Sequence, residues 1–249
     1  MFTTVAWYQS IDPAGALTAI NAVSDQHVTV SGADIRVPKG LANIIGAAAL
    51  ANDASVTRAQ LQSPSLRATL NFDVEPVVAA AVFGSPAEQT FFPDTPVPLM
   101  ENESLNFAIL SDPAAAAVHY GLAWLSDGPV KPVTGKIYTV RCTAAAALAA
   151  GVWVNSALTF AQTLPAGDYQ VVGMRARGTN LVAARLVFVG GVWRPGVPAI
   201  NALGDLDTYW QRYGRMGVLG QFNSTTPPTV DCLGVTDTAQ TIMLDLIKV

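Results

Sequence analysis

Two histidines, His27 and His119, are the only ones in this chain, and no Gly-x-Ser-x-Gly elbow accompanies them. A hydrolytic triad needs a nucleophile, a base and an orienting acid held together, and the strained turn that presents a serine is missing. His119 lies in Ala116-Ala117-Val118-His119-Tyr120-Gly121, a strand-like run where a packed histidine is expected. A two-histidine metal site also needs carboxylates, and the spacing does not signal them. Asp73 and Glu75 stand two apart, so on a strand their carboxylates share one face. Such a pair could hydrolyse a glycoside, but it equally describes a solvated strand edge kept from stray pairing by its charge. Glu101 and Glu103 repeat the pattern. Gly190-Gly191 and Gly214, Gly217 and Gly220 have no Walker lysine near them and read as turns. The sequence therefore predicts no catalytic residue, no metal site and no cofactor.

The basic residues concentrate late in the chain, at Arg175, Arg177, Arg185, Arg194, Arg212 and Arg215, with Trp193, Trp210 and Tyr213 among them. Arginine interleaved with aromatics could hold nucleic acid or glycan. The same composition serves arginines that bridge subunits or fasten loops, which is the reading preferred here. No sequence-specific recognition of nucleic acid is expected. Cys142 and Cys232, the only cysteines, are too few for a disulfide framework or a zinc site and are expected as buried thiols.

Charged residues make up 13% of the chain and hydrophobic ones 51%, against roughly 25% charged in an ordinary soluble domain. The longest apolar stretch, Ala144 to Val154, is well short of the ~20 residues that span a bilayer. The amino terminus lacks the basic and apolar regions of a signal peptide, so synthesis in a cytoplasm is expected. Low charge without a membrane span points to a surface that faces neighbouring subunits. Residues 1–125 hold four basic and eleven acidic side chains (−7), and residues 126–249 hold ten and seven (+3). Such asymmetry is often mere solvation, and it could also supply complementary faces.

Short runs of Val, Thr, Phe, Tyr and Trp between Pro, Gly, Asn and Asp punctuate the chain like an all-β sandwich or barrel. Strands are predicted at 3–9, 27–37 (turning near Gly32), 66–74, 105–110, 118–125, 137–143, 152–160, 169–176, 181–189 and 241–247. The alanine-rich segment 39–52 predicts a buried helix, and 55–62 a second short one capped by Ser55 and closed by Pro64. Residues 144–150 fit a helical turn or a buried strand equally. The Pro-rich arm 84–101, with Phe91 and Phe92, and the irregular stretch 195–228, with Tyr209, Trp210, Tyr213 and Phe222, are of the kind that docks on something. An amino-terminal β region over 1–100 and a second region over 101–249 are expected.

The run from Leu158 through Leu164-Pro165-Ala166-Gly167-Asp168-Tyr169 to Met174 is followed by Ala183–Phe188 and Trp193-Arg194-Pro195-Gly196. With Pro227–Val230 and Leu244–Ile247, these resemble the carboxyl-terminal strands of jelly-roll coat proteins of tailless icosahedral bacterial viruses. The resemblance covers about residues 100–249, and its most distinctive piece is the Leu-Pro-Ala-Gly-x-Tyr turn. It implies a jelly-roll sandwich, one elaborated roll or two compact fused ones, in a major capsid subunit without catalytic residues. The two-roll members of that family form trimers of pseudo-hexagonal outline. The implied partners are copies of the chain and other virion proteins, with contact to an internal membrane or the genome left open. Inter-subunit contacts are expected at Phe91, Phe92, Trp193, Arg194, Tyr209, Trp210, Arg212, Tyr213 and Phe222. A carbohydrate- or receptor-binding β-sandwich of a viral spike is the alternative, and a β hydrolase using Asp73 and Glu75 ranks last.

Overall fold

The computed structural model describes residues 1–10, 15–51, 56–74, 76–78, 90–111, 118–200 and 206–249. It is nearly all β, and the strands pair antiparallel with few exceptions. The chain divides into two compact units, Val5–Pro129 and Val130–Val249, the latter joined by Met1–Thr4. The division lies at Pro129, so the strands just beyond residue 100 belong with the amino-terminal unit.

In the first unit the strands are β1 (Phe2–Gln9, counted here from Val5), β2 (Thr18–Ala22), β3 (Val30–Ser31), β4 (Asp34–Arg36), β5 (Asn43–Ala51) and β6 (Val56–Gln62). They continue with β7 (Phe72–Val74), β8 (Pro76–Val78), β9 (Thr90–Phe91), β10 (Val97–Pro98), β11 (Ser104–Ser111) and β12 (His119–Ser126). One layer runs β10-β5-β12-β1 and the other β2-β11-β6-β7, with β1 and β2 joining them through Trp7↔Ala22 and Tyr8↔Asn21. The hairpin β3–β4 turns at Gly32, whose φ of +61° suits glycine. Between the layers lie Trp7, Ile20, Leu61, Phe107 and Trp124, each at most 1% exposed. The Trp7 indole N–H, buried with its ring, donates to Ala33 O at 3.0 Å, which offsets its desolvation. Gly121 of β12 faces Phe107 of β11, and a Cβ there would come within 2.4 Å of the ring.

The alanine-rich segment expected as a helix is strand β5. It lies between β12 and the short strands β8, β9 and β10, and from Ile44 to Ala51 it is buried throughout. Small side chains let both faces be covered closely, and sheet pairing overrides alanine's helix preference. Residues 56–62 likewise form β6 rather than a helix, and Ser55 lies outside the described residues. Among the described residues Leu206–Gln211 forms a 3-10 helix, and the α-helix is the single turn Pro64–Arg67 (α1). Ser63 caps it by accepting from the Leu66 N–H, and Pro64 begins it, where proline's missing N–H costs nothing. That turn occupies the start of the strand expected over 66–74, leaving Phe72–Val74 as strand.

The second unit contains β13 (Tyr138–Ala144), β14 (Val154–Ala157), β15 (Thr159–Phe160), β16 (Asp168–Arg177), β17 (Leu181–Val187), β18 (Gly196–Pro198), β19 (Gly220–Asn223), β20 (Thr229–Gly234) and β21 (Gln240–Lys248). One sheet is β15-β13-β21-β16-β19 and the other β14-β20-β17-β18. Strand β13 alternates as a half-buried strand should, with Val140, Cys142 and Ala144 inward. Both cysteines are free and buried, and burial raises each thiol pKa from 9.0 to about 12. Residues 145–149 belong to neither a strand nor a helix. Gln240 holds them in place, accepting from the Ala146 N–H at 2.9 Å and donating to its C=O at 3.0 Å. The distinctive turn before β16 is closed by the Tyr169 hydroxyl, which donates to Pro165 O at 2.6 Å.

The two units share one strand order. Taking the eight main strands of each in sequence, the first, eighth, third and sixth form one layer, and the second, seventh, fourth and fifth the other. In the first unit this gives β1-β12-β5-β10 and β2-β11-β6-β7; in the second, β13-β21-β16-β19 and β14-β20-β17-β18.

Candidate inter-subunit surfaces

On the sheet β13-β21-β16, odd residues of β21 face away from the apolar layer that Ile242, Leu244 and Leu246 enter. Asp245 is one of them, yet it is fully buried, because the segment 206–219 crosses over it. Asp245 Oδ1 accepts from Arg175 Nη2 at 3.1 Å and from Thr139 Oγ1 at 2.6 Å, and Oδ2 accepts from the Tyr213 backbone N–H at 2.9 Å. Gly214 follows with φ +79°, donating to Val172 O at 2.6 Å and accepting from Val133 N–H at 2.8 Å. A Cβ there would meet Val133 O at 2.0 Å, so this crossing requires glycine. Burial lowers the Arg175 pKa and the Asp245 charge opposes that shift. Arg141 and Arg175 flank Met243, and Arg177 lies opposite Thr241, which gives this sheet face a basic character.

The same segment carries the aromatic residues expected at contacts. Tyr209 is 53% exposed with the Arg215 guanidinium 3.6 Å from its ring centre, and Tyr213 is 44% exposed with Arg212 at 4.7 Å. Trp210 packs edge-on against Tyr209. Arg212 and Trp193 are half-buried. Near Trp193, Val189 and Val192 project into solvent.

Other expected contact residues turn inward. Phe222 is buried against Tyr169, with ring centres 5.7 Å apart. Arg194 is buried and donates to the carbonyls of Gly191 and Val192, while its backbone N–H donates to Thr3 Oγ1. It fastens its own loop and the amino-terminal residues. In the Pro-rich arm, whose residues 84–89 lie outside the described set, Phe91 packs on Trp124 at 4.6 Å and Phe92 on Phe72 at 5.3 Å. Among its described residues the arm instead exposes Asp94, Thr95, Pro98, Met100 and Glu101.

Asp73 accepts from Arg58 at 3.1 Å and Gln60 at 2.9 Å on an exposed strand, and Glu75 lies outside the described residues. Glu101 and Glu103 accept from the backbone N–H groups of Gly40, Ser65 and Met100. His119 is fully buried. Among the described residues no group of three or more His, Cys, Asp or Glu could hold a metal ion, and no helix is long and apolar enough to cross a membrane. A groove of about 320 Å³ lies between Tyr138, the 162–165 turn, Tyr169 and Lys248, beside a hollow of about 280 Å³ that reaches Ser224 and Pro227.

Sequence reasoning missed Asp245, Arg175 and Tyr213 as a unit. The available signal was a lone acid in the apolar run Met243-Leu244-Asp245-Leu246-Ile247. The two units also differ in charge. Val5–Pro129 carries four basic and twelve acidic side chains, net −8, while Met1–Thr4 with Val130–Val249 carries ten and six, net +4. No protein-family model, curated protein or solved structure matches this chain.

Proposed function

We propose that this protein is a self-assembling major capsid subunit of an icosahedral viral shell, built from two jelly rolls in tandem and resident in the virion. The observation that carries the reading is the strand order common to the two units. A jelly roll is eight strands in two facing sheets, ordered first-eighth-third-sixth and second-seventh-fourth-fifth, and it is the fold of many viral shell subunits. Two rolls per chain make six in a trimer, which tiles a hexagonal outline. Sparse charge, exposed Val189, Leu70 and Met100, and exposed Tyr209 stacked on Arg215 suit a subunit covered by its copies. The opposite charges of the units favour a head-to-tail contact, acidic unit to basic unit, of the kind that closes into a ring. The reading assigns no catalytic step.

Sedimentation of the purified chain across concentration and salt, with negative-stain imaging, tests it. Large species that form with concentration and weaken with salt are expected. A monomer at every concentration, indifferent to salt, overturns the reading.

The groove beside Tyr138 and Lys248 favours a second reading, a carbohydrate-binding sandwich, because its volume reaches the lower range of small-ligand sites. Glycan-array binding that is lost in Tyr138→Ala supports it, and absence of glycan binding removes it.

A further inference from the structure

Among the described residues, two arginines gather around a single ion-paired carboxylate. Arg175 and Arg212 meet around one phenol. Arg212 donates to the Tyr213 hydroxyl, and that hydroxyl also stands beside the Arg175 guanidinium. Arg175 is paired with Asp245, whose oxygens are engaged by Arg175, Thr139 and the Tyr213 N–H, and Arg212 has no ion pair among the described residues. The Nε atoms of Arg175 and Arg212 are buried with no hydrogen-bond acceptor. Surplus positive charge costs free energy where water is scarce, and a further anion would relieve that cost. The cluster opens to the surface at Tyr213, which is 44% exposed and held at φ +53°. An aromatic residue keeps that conformation only where its surroundings impose it, and such positions concentrate at binding sites.

The complementary group lies on the acidic unit. Among the described acidic side chains of Val5–Pro129, Asp94 is exposed and has no hydrogen bond or ion pair to a described residue, whereas Asp25, Asp34, Asp73, Glu101 and Glu103 accept bonds and Asp127 is also partnered. It sits at the tip of a tight turn closed by Thr95 N–H to Phe92 O at 3.2 Å and stiffened by the buried Pro93. A carboxylate presented this way loses little conformational freedom on docking.

We infer that Asp94 of one copy docks its carboxylate onto Arg212 and Tyr213 of the next copy. The inference rests on the self-assembly reading and names the charge pair that sets its head-to-tail register. Arg212 supplies a guanidinium N–H to one carboxylate oxygen. The Tyr213 hydroxyl, which accepts from Arg212, keeps its own proton for the other. Arg175 and Asp245 hold Tyr213 in place from below.

The test compares full-length wild type, Asp94→Asn, Arg212→Gln and the swapped pair Asp94→Arg with Arg212→Asp by sedimentation, with near-UV circular dichroism as the folding control. Each single change is expected to raise the assembly concentration ~10-fold or more, as loss of one partner of a desolvated interfacial pair does. The swap is expected to recover most of that loss. Asp94 has no partner among the described residues of its own chain, so Asp94→Asn remains decisive even where an Arg212 variant misfolds. Wild type that assembles while Asp94→Asn assembles at the same concentration overturns this contact and leaves the coat reading standing. Wild type that never assembles overturns both. A folded swap that stays dissociated overturns direct pairing.

Discussion

Arg175 and Asp245 form an ion pair at 3.1 Å with side chains 4% and 0% exposed, on the face of a sheet that would otherwise be expected to meet solvent. The pair exists because the 206–219 segment must be anchored, and Asp245 has two oxygens to do it with. One takes Arg175 and Thr139; the other takes the Tyr213 backbone.

Asp245→Asn keeps the shape of the site and removes its negative charge. Arg175 is then left buried and uncompensated, which costs ~3–5 kcal/mol. Urea unfolding should show that loss, and limited proteolysis should find new cleavage near Tyr213. Unchanged stability would mean that the pair contributes nothing to the fold.

Gly121 and Phe107 define how closely the two layers of the first unit approach. Gly121→Ala puts a methyl within 2.4 Å of the Phe107 ring, and overpacking of this kind costs ~1–3 kcal/mol. Phe107→Leu in the same molecule should return part of it. A double-mutant cycle of melting temperatures measures the coupling, and additivity of the two changes argues against contact.

Gln240→Leu fits the same buried position, but it strips Ala146 of the partners for its N–H and C=O. Each buried backbone group left unsatisfied costs ~1–3 kcal/mol. Hydrogen exchange should quicken at Ala146 before it does so in β21.

The thiols of Cys142 and Cys232 have pKa values raised by burial from 9.0 to about 12. The folded state therefore holds their protons longer than the unfolded state, so stability falls as pH climbs from 9 towards 12. Denaturant titrations across that window should show the decline, and it should shrink in the Cys142→Ala, Cys232→Ala double variant. A disulfide reagent at pH 8 should label both cysteines only after unfolding.

Most strands are legible in the sequence because period-two patterning and turn residues are local. Strands β1, β11, β12, β13, β16, β17 and β21 fall within or close to their predicted ranges. Alanine-rich β5 resembles a helix in sequence because its composition reflects close approach from both sides, and approach is a tertiary property. Strands β2, β19 and β20 escape prediction because little in their sequences marks them apart from loops. Of the expected contact residues, the chain order alone could not separate Tyr209 and Tyr213, which are exposed, from Phe222 and Arg194, which are buried. All four sit in similar Gly- and Arg-rich surroundings, and only packing distinguishes them.

Taken alone, the order of residues determined an all-β chain with little charge, no legible constellation for chemistry, and acid and base gathered in opposite halves. These are properties of composition and of near neighbours. The tertiary structure decided where the units divide, that both follow one strand order, and that Asp245 lies beneath a crossing segment with Arg175 as its counter-ion. Those outcomes join residues far apart in sequence, and they depend on which sheet faces are covered, a quantity that no local pattern carries.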